Sequence, residues 1–325
     1  MRSLPMKILW LIQSYEVHAF EVLADALAHY AEVELVRLTA EDQDCLGVTL
    51  KRFDFSAYDR VMTILRTKKE MRQWRAFRVI PNLVIFEYDA CQNYMPGGKY
   101  EGKFSRHYRR LGGPRLIVSG AQVADRLKNE GFEAHFMPKG YDPRVIQNSC
   151  EVRDIPLAFV GRLKADMYKS RKDFIEEQAK RHGLQVLQTA PGQAYAQMLS
   201  RIQIFVSADI GLGEYMAKNF EAMAAGCLLL TYSQGELENR AVGFEDMKNV
   251  VLFRNQQEFD ERLQLLRDEP GLLEKIAEAG AIYAREAFAY DRMGQRLFGL
   301  LEKPLTPRAQ VRGWRSYLPG FLGGY

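Results

Sequence analysis

Eleven short apolar runs, separated by helix-periodic stretches and turn residues, set the strongest limit on what this chain can fold into. Six lie in the first half: KILWLI (7–12), EVELVRL (Glu32–Leu38), and the runs at 58–65, 82–88, 114–120 and 133–143. Five lie in the second half: 155–163, 184–189, 202–209, 227–232 and 249–253. Continuous apolar runs of this length suit parallel strands covered on both faces. The segment AFEVLADALAHYA between the first two carries Phe20, Leu23, Ala24 and Leu27 at helical spacing. Residues 144–154 have no period and read as a linker. At 325 residues the chain exceeds a comfortable single core. The expectation is α/β throughout, in two units with mainly parallel sheets: residues 1–150, residues 151–295, and a tail from 296 to 325 packing back on the surface. Ligands of such sheets bind beyond the carboxyl ends of the strands, so two facing units imply a cleft that takes two substrates.

Composition removes several classes. No apolar run approaches the roughly 20 residues that span a bilayer, and MKILWLI reads as a first strand rather than a signal peptide. A cytoplasmic protein is expected. The four cysteines and five histidines show no metal-ligand spacing, which argues for reduced thiols and against structural zinc. The net charge of +4 is uneven: residues 1–150 hold 22 Lys+Arg against 18 Asp+Glu, the remainder 23 against 23. The excess sits in RTKKEMRQWRAFR (66–78) and KYEGKFSRHYRRLGGPR (99–115), where bases alternate with aromatics. Such segments fit an anionic membrane surface at the inner face or a phosphate-bearing substrate, and equally a solvated helix face. No nucleic-acid partner is expected.

In KNFEAMAAGCLLLT (218–231) one acid, Glu221, stands at the start of a small-residue helix that follows a strand. A carboxylate there gains about 0.3–1 kcal/mol from the helix dipole and can accept two hydrogen bonds from a vicinal diol. It could also be an ordinary helix-start charge.

FEAMAAGCLLLT, with Lys218 three residues before Glu221, resembles the nucleotide-sugar signature of GT-B glycosyltransferases. It is most similar to retaining family 4 and the spore-maturation glycosyltransferase-like (group 1) proteins. FVGRL (159–163), MYKSRKDFI (167–175) and the closing segment from Gln234 onward extend the likeness over residues 155–295, while in residues 1–150 only the layout agrees. The resemblance implies a GT-B fold of two Rossmann-like domains and transfer of a sugar from a nucleoside diphosphate to a saccharide, lipid-linked or cell-surface glycan acceptor. It implies Glu221 at the donor ribose, with Gly161, Lys218, Asn219 and Phe220 lining the nucleotide. It also implies an Arg/Lys pair on the leaving diphosphate, drawn from Arg162 and either Lys169 or Arg171. Cations can neutralise that charge, and no DxD pair stands convincingly at a strand end, so neither a metal nor another cofactor is expected. The family spaces two glutamates eight positions apart. Here Glu214 precedes Glu221 by seven and Gly213 fills the expected slot. Either Glu214 still reaches the sugar or its role is gone.

For the acceptor the candidates are His18, in the loop after the first strand, and Glu87 and Asp89 at the end of the fourth. Two alternatives stand beside sugar transfer: nucleotide-sugar epimerisation on the same fold, and a non-catalytic glycan-binding or coat relative.

Overall fold

The structure is a computed structural model that describes residues 5–14, 19–149, 152–163 and 169–307. Six strands form the first sheet: β1 (Lys7–Gln13), β2 (Glu32–Leu38), β3 (Arg60–Ile64), β4 (Leu83–Glu87), β5 (Arg115–Val118) and β6 (Ala134–Phe136). Five form the second: β7 (Ile155–Val160), β8 (Gln185–Leu187), β9 (Ile202–Ser207), β10 (Leu228–Tyr232) and β11 (Val251–Phe253). Their orders are β2-β1-β3-β4-β5-β6 and β11-β10-β9-β7-β8, and every pairing is parallel. The apolar runs are thus the strands. Those expected at 133–143 and 184–189 shrink to three residues each. The β6 ladder closes with the Met137 amide donating to the Val118 carbonyl at 3.0 Å, just before Pro138.

The pleat explains why the runs lack polar alternation. In β1, Leu9 and Leu11 enter one core with Phe77, Phe104 and Tyr108, while Ile8, Trp10 and Ile12 enter the other. In β7, Ala158 and Val160 face one core of the second sheet, Leu157 and Phe159 the other.

After β11 the chain makes helices Gln256–Asp268 and Pro270–Ala287, then returns to the first sheet. Helix Tyr290–Leu301 buries Tyr290, Met293, Leu297 and Leu301 against Ile8, Trp10 and Leu23. The division expected at 295/296 therefore falls inside one helix, whose single apolar stripe belongs to the first core. Arg115 fixes the segment that follows: its guanidinium donates to the carbonyls of Leu300 (2.8 Å) and Lys303 (2.9 Å) and pairs with Glu133. Arg115, counted above within a surface-facing basic segment, is buried, as are Phe104, His107 and Tyr108 of the same segment.

The two sheets meet at their carboxyl ends. Ser119 and Gln122, after β5, and Lys139, after β6, touch Glu214 from the loop after β9 and Glu238 from helix Glu236–Ala241 after β10. No described helix is long and apolar enough to cross a membrane.

Candidate donor site

At the carboxyl edge of the second sheet, helix Ala217–Ala224 begins after the β9 loop. Lys218 and Glu221 lie one turn apart on it and share a face. Phe220, Ala222, Met223 and Ala224 on the remaining surface are buried in the core, which fixes the helix rotation. The small residues on that side let the helix lie close to β10.

Lys218 reaches back over the end of β7. Its Nζ donates to the Val160 carbonyl at 3.0 Å and sits 4.8 Å from the centre of the Phe159 ring. Gly161 makes this possible: its φ is +153°, and a Cβ there would collide with the Lys218 Nζ. Burial lowers the Lys218 pKa, and the Arg171 charge lowers it further. A partly desolvated ammonium with one carbonyl partner is well prepared for an incoming anion.

Glu221 is half-buried. Its Oε2 accepts from the Tyr195 hydroxyl at 2.9 Å. Burial raises its pKa, while Tyr195 and Lys218 pull it back toward the charged form. Tyr195 lies on helix Gln193–Ser200, and no spacing in the sequence connects it to Glu221.

Arg171 is spent elsewhere. It is buried on helix Lys169–His182, pairs with Asp209 and donates to the Ala208 carbonyl at 3.3 Å. Asp209 also accepts from Asn219 Nδ2 (2.7 Å) and the Met216 amide (3.2 Å). Asn219 in turn accepts from Thr231. Arg171 and Asn219, expected at the ligand, instead hold the loop between β9 and the donor helix. Phe220, expected at the nucleotide, faces the core against Phe288 with ring centres 4.0 Å apart. Arg162 and Lys169 are exposed beside the site, after β7 and at the first turn of the following helix.

Glu214 turns away from Glu221 and across the cleft. It is buried, accepts from Lys139 Nζ (2.7 Å) and Ser119 Oγ (3.0 Å), and packs where Gly120 leaves no Cβ in its path. Burial works against the Lys139 charge, yet Glu214 outweighs it and its pKa is raised. Beside this pair Glu238 accepts from the Gln122 amide at 3.0 Å, and burial pushes its carboxyl up to about 7. Glu238 carries no motif, so sequence reading passed over it, whereas Lys139 opens KGYDP (139–143), read as a turn near the cleft.

On the first domain Glu87 is half-buried at the end of β4, accepting from Thr67 Oγ1 (3.1 Å) and the Asp89 amide (2.8 Å). Burial, then Asp89, pushes it up to about 8, so at neutral pH it is mostly protonated. Asp89 is exposed. His18 lies outside the described residues. Among the described residues no group of three His, Cys, Asp or Glu side chains could hold a metal ion, and the free cysteines are Cys45, Cys91 and Cys227.

Residues 150–299 match the family model described as glycosyl transferase-like. Among curated proteins, none matches the sequence. Among solved structures, Anabaena HepE in complex with UDP-glucose is similar at 14% identity and a TM-score of 0.63, over 91% of this chain and 99% of that one. The sucrose-phosphate synthase of Thermosynechococcus elongatus is similar at 13% identity and a TM-score of 0.60, over 91% and 98%. A glycosyltransferase from Rickettsia africae follows at 12% and 0.57, over 92% and 98%. The expected GT-B fold is met, since the two sheets have the GT-B arrangement, and residues 150–299 match the glycosyl transferase-like model.

Proposed function

We propose that this protein transfers a sugar, with retention and without a metal, from a nucleoside-diphosphate sugar to a saccharide, lipid-linked or cell-surface glycan acceptor. The observation that carries the reading is the shared face of Lys218 and Glu221 at the carboxyl edge of the second sheet. Glu221 takes the donor ribose through its two hydroxyls. Lys218 meets the diphosphate, joined by the exposed Arg162 and Lys169. When the bond from the anomeric carbon to the β-phosphate oxygen breaks, its electron pair stays on that oxygen, and these cations stabilise it. The solved structure of HepE with UDP-glucose supports a donor of this kind.

The acceptor docks on the first domain, where Glu87 and Asp89 present carboxyl groups beyond β4. The domains divide near residue 150, the second ending where helix Tyr290–Leu301 returns to the first core. The protein works in the cytoplasm, at the inner face of an anionic membrane. Exposed Arg72, Arg75, Arg106, Arg109 and Arg110 support that placement, as does Trp74 beneath Arg75, with the guanidinium 4.8 Å from its ring centre.

The test is a thermal-shift screen with UDP, GDP, ADP and dTDP, followed by turnover of the matching sugar donor. At least one nucleotide should raise the melting temperature, and Glu221→Ala and Arg162→Ala should each lose most turnover while remaining folded. Full activity in both variants overturns the assignments. Product analysis with donor alone separates transfer from epimerisation, and no shift with any nucleotide favours a non-catalytic protein.

A further inference from the structure

A carboxylate that must take two hydroxyls at once needs a fixed orientation and a full charge, and a half-buried helix position by itself supplies neither. We infer that Tyr195 is a positioning residue that sets the Glu221 carboxylate for a vicinal diol. The inference rests on the reading of Glu221 as the ribose acceptor.

The Tyr195 hydroxyl donates to Oε2 at 2.9 Å. It is the one hydrogen bond this carboxylate receives among the described residues. A carboxylate offers about four lone-pair directions, two on each oxygen. One bond to Oε2 leaves a direction on Oε2 and both on Oε1, enough for two diol hydrogens.

Tyr195 can act as a rigid stop. Its ring packs against the core that holds Phe220, Ala222 and Met223, the inward face of the donor helix. It has few rotatable bonds, so little freedom is lost in holding one geometry. Burial, then the Glu221 charge, keeps the phenol pKa well above its ordinary value, so the hydroxyl remains a donor at every working pH.

Three groups from three helices act on the Glu221 charge. Tyr195 on Gln193–Ser200 and Lys218 on its own helix favour the ionised form. Tyr290, at the start of Tyr290–Leu301, lies close enough for its own ionisation to be opposed by the Glu221 charge. Removing the Tyr195 hydroxyl leaves burial opposed by Lys218 alone. The Glu221 pKa then rises further, and the carboxylate needed for the diol is lost at a higher pH as the solution is acidified.

The test measures binding of UDP, GDP and ADP, each with its 2′-deoxy counterpart, by calorimetry from pH 5.5 to 8.5. The proteins are wild type, Tyr195→Phe, Glu221→Gln and the double variant. For the nucleotide that binds wild type best, Tyr195→Phe should weaken affinity about tenfold at pH 7, the scale of one hydrogen bond to a charged group. Its affinity should begin to fall at a higher pH than that of wild type, and the 2′-deoxy nucleotide should be affected less. Adding Tyr195→Phe to Glu221→Gln should change nothing further. If Tyr195→Phe keeps the wild-type affinity and pH profile while Glu221→Gln is weakened, the inference is overturned and the donor reading stands. If Glu221→Gln binds like wild type, the donor reading fails and the role of Tyr195 falls with it.

Discussion

Two cations near the donor edge have opposite surroundings, and a mutation pair separates them. Lys218 faces the site with a carbonyl and an aromatic ring as neighbours, whereas Arg171 is locked to the buried Asp209. Lys218→Ala should lower kcat on the order of 10²–10³-fold, as loss of a charge-stabilising donor does, with little change in melting temperature. Arg171→Ala should instead strand the Asp209 carboxylate in the core and cost about 3–5 kcal/mol of stability, read by urea unfolding. A turnover loss in folded Arg171→Ala larger than that in Lys218→Ala would reverse the assignment. Sequence reading put Arg162 first at the diphosphate, Lys169 or Arg171 second, and Lys218 third. What distinguishes Arg171 is Asp209, 38 positions away. Long-range pairing of that kind has no local periodicity to betray it, and the same holds for Tyr195 and Glu221. The constraint on Gly161 is local, one backbone turn beside a lysine, whereas Glu221, expected in the first turn of its helix, is the fifth residue of Ala217–Ala224.

Among the elements, the strands were legible in number and place but not in their ends, because burial on both faces leaves an unbroken apolar run that does not mark where the ladder stops. The closing helix was legible as a helix but not in its destination. Tyr290, Met293, Leu297 and Leu301 repeat at three or four residues, which says that one face is covered and nothing about what covers it. In the fold they complete the first core, beside Ile8 and Trp10. Leu297 is wholly buried there, so Leu297→Ala should cost about 2–5 kcal/mol through lost contacts and the cavity left behind. Because the helix follows the donor-side sheet and clasps the acceptor-side one, the loss should lower the melting transition of the first domain. In a Trp314→Phe background, fluorescence of Trp10 and Trp74 reports on that domain. A transition unchanged in this signal, with one shifted by circular dichroism, would place the helix on the second domain instead.

At the scale of the molecule, the two domains close on ionisable groups, so closure should depend on pH. Glu214 binds Lys139 and Ser119 across the cleft, and Glu238 binds the Gln122 amide beside them. Glu238 is fully buried, and burial raises its pKa to about 7 despite the amide, with the Glu214 charge adding to the rise. One of its oxygens, Oε1, has no hydrogen-bond partner among the described residues. A carboxyl raised in the closed state favours that state when protonated. Its contribution is complete below the ordinary glutamate value near 4.5 and is lost as pH rises through about 7. Over that interval the loss is at most about 3 kcal/mol for one group, enough to shift a domain equilibrium severalfold or more. The protein should therefore be more open at pH 8 than at pH 6, with a larger radius of gyration by small-angle scattering. Glu238→Gln, neutral at both, should remove most of that difference while leaving the Lys139–Glu214 pair in place. If the variant opens between pH 6 and 8 as far as wild type does, Glu238 is not the group that senses pH, and Glu87, raised to about 8 on the first domain, becomes the next to replace.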